Sequence, residues 1–183
     1  MNKQTPRQIH LSLDVEADGP CPGLFSMLSF GLVPLHDLNA GFYSTVRPIS
    51  DRFDTAAMSV GGFTREQALG FDEPTLVMKR MKAWLDGLGG TGRVVVWSDN
   101  PAFDWQFLNY YCHAYLDGNP FGHSARRIGD LYAGWRKDPR QTKDWRKWRG
   151  EPHTHNALDD ARGNARALVS LIDRLRGSVP NRG

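Results

Sequence analysis

The stretch IHLSLDVEAD, residues 9 to 18, decides the fold because it joins a strand pattern to a dense run of carboxylates. From residue 9 to 15 every second residue is apolar, a period typical of a β-strand with one apolar face. The same pattern places Asp14 and Glu16 together on the polar face, about 7 Å apart at the usual rise of a strand. Isolated buried charge is costly, so these carboxylates must be paired, protonated or bound to a metal ion.

The rest of the chain predicts further strands around this one. Strands are expected at residues 25 to 35 and 42 to 46, and the short polar link between them favours an antiparallel meander. Residues 93 to 97 read as a short, fully buried strand of the parallel type. A short apolar stretch at residues 128 to 132 is a candidate for one more strand.

Helices are predicted between and after these strands. One begins near Glu73-Pro74. A second follows the strand at 93 to 97, with Asp99 or Asn100 as its cap and Pro101 in its first turn. The last spans residues 156 to 176 and carries a stripe of apolar residues along one side. This order predicts an α/β architecture, a mixed sheet flanked by helices.

Length and composition indicate one globular domain over residues 1 to 183, with a core from about 9 to 176. No run approaches the roughly 18 apolar residues of a membrane span, so no membrane is expected as a partner. The first ten residues lack the apolar core of a secretion signal. The two cysteines, Cys21 and Cys112, cannot form a disulfide framework. We therefore expect a cytoplasmic protein.

Charge is unevenly distributed along the chain. Residues 126 to 149 hold nine Lys or Arg and three Asp, a balance of +6 within a chain whose net charge is +3. The remainder is therefore acidic. An acidic body with one basic segment indicates an anionic partner held beside an acidic site.

Four acids stand out by their positions: Asp14 and Glu16 on the first strand, Asp104 early in a helix, and Asp160 early in the last helix. If the strands at 9 to 17 and 93 to 97 are neighbours, these acids can converge at one end of the sheet. Such a cluster carries about −4 at ordinary carboxylate pKa values. Two Mg²⁺ ions would offset that charge and act as Lewis acids toward a phosphate.

Three motifs carry a resemblance to a known family. They are Asp14-Val15-Glu16, the segment NPAFD at residues 100 to 104, and the segment HNALDD at residues 155 to 160. In order and spacing they resemble the motifs of the DEDD exonucleases, over roughly residues 9 to 175. The histidine branch is indicated, since Asn156 stands where the tyrosine branch would have Tyr.

The resemblance implies a ribonuclease H-like fold and removal of single nucleotides in the 3′-to-5′ direction. It implies that Asp14, Glu16 and Asp160 hold one Mg²⁺, and that Asp14 holds the second with help from Asp104 through water. Mn²⁺ is expected to substitute. His155 would be the general base, since an imidazole titrates near neutrality and its loop position lets it move.

The implied partners are single-stranded RNA or DNA 3′ ends, with RNA slightly favoured, and a homodimer is compatible with the resemblance. One alternative is a catalytically silent module of the same fold that binds single strands without cleaving them. An endonuclease of the same fold is a third reading. Neither RNA nor DNA can be assigned, because no side chain can be matched to a 2′-hydroxyl.

Six residues are candidates for substrate contact. By the resemblance, Phe25 and Ser26 lie where family members contact the terminal nucleotide. Asn100 is expected mainly to cap a helix, with contact to the substrate as the less favoured alternative. The basic segment adds cations and aromatic faces that suit a single strand, with a solvated surface anchored by tryptophan as the alternative. Its candidates are Trp145, Arg146 and Trp148.

Several neighbouring residues are expected to play no part in the chemistry. Asp18 reads as a turn or cap residue. Asp159 favours the start of the last helix electrostatically. His153 is expected to be a solvated loop residue, and Phe103 and Phe107 are expected in the core.

Overall fold

A computed structural model describes residues 8–89 and 93–177, and its centre is a five-stranded sheet in the order β3-β2-β1-β4-β5. The strands are β1 (Ile9–Ala17), β2 (Met27–Pro34), β3 (Phe42–Thr45), β4 (Val94–Ser98) and β5 (Ala125–Arg127). Strands β1, β2 and β3 are antiparallel, whereas β4 is parallel to β1 and to β5. The predicted mixed α/β sheet is confirmed.

Six α-helices and one 3₁₀ turn connect and cover the strands in the described residues. They are α1 (Thr55–Val60), α2 (Arg65–Leu69), α3 (Pro74–Gly87), α4 (Pro101–Tyr115), α5 (Ile128–Arg136), the 3₁₀ turn Asp144–Trp148 and α6 (Ala157–Gly177). Over residues 8–89 and 93–177, no helix has both the length and the apolar character that crossing a bilayer requires.

Two short elements differ from the prediction. The expected strand at residues 128 to 132 is wrong, because this stretch begins helix α5 and buries Ile128 and Tyr132 on one side at helical spacing. Strand β5 is the three residues before it. Helix α1 was not predicted; its cap is Asp54, whose carboxylate accepts a hydrogen bond of 2.8 Å from the Ala56 N–H.

The sheet has apolar cores on both faces. On one face the odd-numbered apolar residues of β1, such as Leu13, pack with Met81 of α3 and Phe107 of α4, which confirms the core prediction for Phe107. On the other face Val95 of β4 packs with Leu168 of α6. Because side chains alternate along a strand, the polar face of β1 lies on the side of α6.

Helix α6 approaches the sheet closely where it begins. Its small residues Ala157, Ala161 and Ala165 are fully buried. Gly31 of β2 lies directly beneath, and a Cβ atom there would fall 2.3 Å from the carbonyl oxygen of Ala157. This contact fixes the first turn of α6, and with it Asp160, against the sheet whose strand β1 carries Asp14 and Glu16.

Candidate active site

The carboxyl ends of two neighbouring strands form the site. β1 pairs with β4 in parallel as far as Ser12, opposite Trp97, and β4 ends one residue later. β1 continues to Ala17, so Asp14 and Glu16 project from a part of the strand that has no β4 partner. The expectation that these two strands are neighbours is confirmed, and ligand sites in such sheets form at this edge.

Asp104 joins β1 to α4 by its hydrogen bonds. One carboxylate oxygen accepts a hydrogen bond of 3.1 Å from the Val15 N–H, at the point where the β4 ladder has stopped. The other accepts from the Ser98 hydroxyl. Ser98 in turn accepts 2.9 Å from the Asn100 N–H.

Asn100 occupies the cap position of α4, but its side chain makes no capping hydrogen bond. The predicted cap position is confirmed, without a hydrogen bond from the side chain. Asn100 borders the cleft, beside Asp99 and Phe103.

Asp160 lies in the first turn of α6 and is buried. Its Oδ1 accepts a hydrogen bond of 2.9 Å from the Thr154 N–H. Its Oδ2 is buried and has no hydrogen-bond partner, although the Nδ1 atom of His153 lies 3.1 Å away. His153 is an exposed loop residue, as expected, but it also lines the cleft.

His155 stands on the loop just before α6, as the sequence predicted. Its side chain is about half exposed, and its Nδ1 lies 3.9 Å from Oε1 of Glu16. The residue has a φ of 58°, in the left-handed region that few non-glycine residues adopt. Asn156 follows it and accepts from the N–H groups of Leu158 and Asp159, which caps the helix.

The electrostatics of the cluster favour a cation. Burial, and then the neighbouring carboxylates, raise the pKa of Asp14 well above its usual range. Burial followed by repulsion from Asp160 and Asp104 raises the pKa of Glu16 to about 8. Burial also raises the pKa of Asp104 to about 7, against the opposing effect of its hydrogen bonds.

The donor set fits a divalent metal ion. Within the described residues, Asp14, His153 and Asp160 each offer one ligand atom, and these atoms lie within 4.8 Å of one another. Carboxylate oxygens suit Mg²⁺ and Mn²⁺, and an imidazole nitrogen suits Zn²⁺ and similar ions. The free Oδ2 atom of Asp160 supplies an unsatisfied buried acceptor at this point.

The cleft above the acids has a volume of about 290 Å³. Phe103 packs partly against the core, as predicted, but its ring also borders this cleft. The other lining residues are Asp14, Val15, Glu16, Ala17, Ala57, Val60, Asp99, Asn100, Asp104, His153 and His155.

The tryptophans of the basic segment are structural to a large degree. Trp145 has no exposed surface, and its indole N–H donates 3.0 Å to the carbonyl of Thr142. The prediction that Trp145 stacks on a nucleobase is therefore wrong. Trp148 is half-buried and packs against Tyr132 and Trp135, and its contact with substrate stays a prediction.

The cations of the same segment lie beside the cleft. Arg146 is exposed and forms an ion pair of 2.7 Å with Asp99, a residue that lines the cleft. Arg149 is buried and pairs with the same carboxylate at 3.1 Å. Asp99 and Arg149 are not among the predicted site residues; the run of cations in the sequence includes Arg149, whereas Asp99 is predicted only as a helix cap.

Ser26 and Phe25 do not lie among the residues that line the cleft. Ser26 is fully buried, and its hydroxyl oxygen accepts hydrogen bonds from the N–H groups of Ile49 and Ser50. The prediction that Ser26 touches substrate is wrong for this reason. Phe25 is half-buried with its ring against Gly19, and its contact with substrate stays a prediction.

Asp18 has a structural role, in agreement with its exclusion from the metal site. Its carboxylate is buried, accepts from the Ser26 N–H, and lies 3.2 Å from the Arg65 guanidinium. Asp159 is exposed and pairs with Arg162 on the outer side of α6.

Comparison with known proteins gives relatives in sequence and in structure, although no family model matches the chain. The chain is 38% identical over 185 residues to the 3′-5′ DNA exonuclease Cap18 of Escherichia coli, across 94% of this chain and 95% of the relative.

Two solved structures have the same fold. One is the nuclease domain of 3′hExo, a DEDDh family member bound to rAMP, with a TM-score of 0.72, 23% identity and coverage of 91% of this chain and 92% of that one. The other is a 3′-exonuclease that recognises the 3′ end of a histone mRNA stem-loop, with a TM-score of 0.72, 27% identity and coverage of 90% and 64%. The predicted ribonuclease H-like fold is confirmed.

Proposed function

This chain belongs to the DEDDh family of 3′-to-5′ exonucleases, and from that premise we propose that it shortens single-stranded 3′ ends by one nucleoside monophosphate at a time. Like other members of the family it depends on a divalent metal, which we propose to be a pair of Mg²⁺ ions that Mn²⁺ can replace. The observation that carries this proposal is a cleft lined by His155 and three buried carboxylates, with the buried Asp160 carboxylate within 4.8 Å of Asp14.

The carboxylates have distinct positions relative to the metal ions. We assign one ion to Asp14, Glu16 and Asp160, and the second to Asp14 with Asp104 acting through water. The hydrogen bonds of Asp104 to Val15 and Ser98 support the indirect role, because both of its oxygens are already engaged. When bound, the ions would supply Lewis acidity to the scissile phosphate.

His155 is assigned the proton transfer. Its imidazole takes a proton from the attacking water as the water oxygen bonds to phosphorus. The bond from phosphorus to the 3′ oxygen then breaks, and this oxygen takes up a proton from solvent water. The products are a 3′-hydroxyl on the shortened strand and a 5′-phosphate on the released nucleotide. The half-exposed ring, on a loop next to Glu16, supports this role because it borders the cleft where water enters.

The substrate strand is either RNA or DNA. The slight preference for RNA expected from the sequence stays a prediction, while the name of the E. coli relative supports DNA. Arg146 and Asn100 are proposed to contact the substrate, since Asn100 borders the cleft and Arg146 reaches it through Asp99.

A test uses matched RNA and DNA oligonucleotides labelled at the 5′ end. With Mg²⁺ we expect stepwise shortening from the 3′ end, abolished by EDTA and by Asp14→Ala. Asp159→Ala is the matched control, because it removes an exposed acid next to the site and should leave the ladder unchanged. Shortening that survives Asp14→Ala would contradict the assignment, and cleavage of a circular single strand would indicate the endonuclease reading.

The silent binding module remains the second candidate because of the basic segment. It predicts tight, salt-sensitive binding of single strands with no shortening under any divalent metal. The cytoplasmic location and the homodimer also belong to this proposal; light scattering of the purified protein tests the second.

A further inference from the structure

A second histidine lies at the metal cleft, although the DEDDh motifs do not include it. His153 lines the same cleft as Asp14 and Glu16. Its ring centroid is 4.6 Å from that of His155, at an angle of 63°. The two rings therefore lie side by side at the mouth of the acidic cluster, and only one of them has a role in the proposed reaction.

The contact between His153 and Asp160 is incomplete. Oδ1 of Asp160 is engaged by the Thr154 N–H, but its buried Oδ2 has no hydrogen bond. The Nδ1 atom of His153 lies 3.1 Å from that oxygen without the geometry of a hydrogen bond. A neutral imidazole nitrogen and a carboxylate oxygen are both electron-pair donors, so a shared cation would satisfy both.

The third donor comes from β1. One carboxylate oxygen of Asp14 completes a group in which all ligand atoms lie within 4.8 Å of one another. Two ligands that bind one ion at 2.0–2.2 Å are separated by about 3–4 Å, so small side-chain adjustments would bring this group to coordination distance. This group shares Asp14 and Asp160 with the four acids of the motifs and adds the imidazole nitrogen of His153 to them.

We propose that His153 is a direct nitrogen ligand of the metal ion shared with Asp14 and Asp160. This inference rests on the proposed function, because it concerns the same metal site. A carboxylate site with one added nitrogen ligand binds Zn²⁺, Co²⁺ and Mn²⁺ better, relative to Mg²⁺, than an all-oxygen site does. The enzyme therefore takes up transition metals through a residue that its family motifs do not use.

The ligand bond also has a consequence for His155. The two histidines are separated only by Thr154, whose N–H is held by Asp160. A metal ion bound to both His153 and Asp160 would hold this short loop to α6 through the metal, in addition to the hydrogen bond from Thr154 to Asp160. The loop that carries the general base is then fixed by metal binding itself.

Pulsed electron paramagnetic resonance of bound Mn²⁺ tests the ligand directly. The full chain without substrate is loaded with one equivalent of Mn²⁺, and ¹⁴N coupling of a directly bound imidazole is expected. The coupling should disappear in His153→Gln and persist in His155→Gln, which is the matched control two residues away. Thermal unfolding of both variants verifies that they are folded.

Calorimetric titration with Zn²⁺ and Mg²⁺ gives a second readout. In His153→Gln we expect Zn²⁺ affinity to fall by at least about tenfold. Loss of a residue that only supports a metal ligand already lowers affinity by about 10- to 100-fold, and loss of a direct ligand should cost no less. Mg²⁺ affinity should change by less than about threefold, since Mg²⁺ prefers oxygen ligands.

The outcomes distinguish the role of His153 as a metal ligand from the proposed exonuclease function. Mn²⁺ that binds with no ¹⁴N coupling, or coupling that survives His153→Gln, overturns the role of His153 and leaves the proposed exonuclease site intact. Absence of any Mn²⁺ binding to the wild-type chain, with no activity in the oligonucleotide assay, contradicts the proposed function itself.

Discussion

At the residue scale, the site depends on the groups that hold its carboxylates as much as on the carboxylates. Ser98 is the clearest case, because its hydroxyl donates to Asp104 while accepting from the Asn100 N–H. It is fully buried at the end of β4. The Ser98 hydroxyl therefore orients the Asp104 carboxylate and also binds the backbone at the start of α4.

We expect Ser98→Ala to lower activity by about 10- to 100-fold, since groups that support metal ligands have effects of this size. The free energy of unfolding should fall by only about 1 kcal/mol for the lost hydrogen bonds. Activity assays and urea unfolding measure the two effects. Ser170→Ala, on the far part of α6, is the control; equal activity in both variants would contradict the role of Ser98.

Asp18 gives a prediction of the opposite kind, a buried acid that matters for stability and has no place in the metal site. Asp18→Ala removes the ion-pair partner of Arg65, which keeps its hydrogen bond to the Ser50 carbonyl, and the side-chain acceptor of the Ser26 N–H. Loss of one partner of a buried pair is expected to reduce the free energy of unfolding by about 3 kcal/mol. Urea unfolding measures it, with exposed Asp159→Ala as the control that should stay within about 0.5 kcal/mol of wild type.

At the element scale, the seating of α6 on the sheet positions Asp160 and the histidine loop. The helix start rests on Gly31 of β2, where no side chain fits beneath the Ala157 carbonyl. Elsewhere the helix packs through small residues such as Ala161. The distance between α6 and β1 therefore depends on residues that have no chemistry of their own.

Gly31→Ala should push the first turn of α6 away from β1. We expect a loss of about 1–3 kcal/mol in stability, typical of overpacking, together with weaker metal binding. Gly87→Ala at the end of α3 is the control, because a Cβ there meets nothing within 4 Å. Its effect on unfolding should be neutral or slightly stabilising. Wild-type metal affinity in Gly31→Ala would contradict the argument.

At the scale of the whole molecule, the acid cluster couples folding to pH and metal. Glu16 has an ordinary pKa of 4.5 and a pKa of about 8 in the folded protein. Between those values the folded state retains a proton that the unfolded state releases, so its contribution to stability falls as pH rises. Asp14 and Asp104 shift in the same direction.

The melting temperature in EDTA should therefore fall between pH 6.5 and pH 8.5. A divalent metal should reverse the trend, because it binds the deprotonated carboxylates and stabilises the folded state by mass action. Thermal unfolding at both pH values, with and without Mn²⁺, measures this. Glu16→Gln should flatten the fall in EDTA, and a metal-free protein that gains stability up to pH 8.5 would contradict the expected sign.

The sequence by itself predicted four of the five strands and the candidate acids. Period-two alternation predicts β1 without any knowledge of the tertiary structure. The spacing of the motifs along the chain picks out the candidate residues Asp14, Glu16, Asp104, His155 and Asp160. Such signals are local or depend on a known order of motifs. Residues 128 to 132 form a helix where the sequence predicts a strand. A short apolar run fits either element until its burial is known.

Only the tertiary structure decided what lies around those acids. Trp145 and Ser26 looked available for substrate, but the packing of α6 and the loops over the sheet buries both. His153 is an exposed loop residue, and it also lies beside Asp14 and Asp160 because the start of α6 packs closely against the sheet at Gly31. Exposure and proximity between distant segments are properties of the packed chain, so residue type and spacing identified the acids but could not show which neighbours they have.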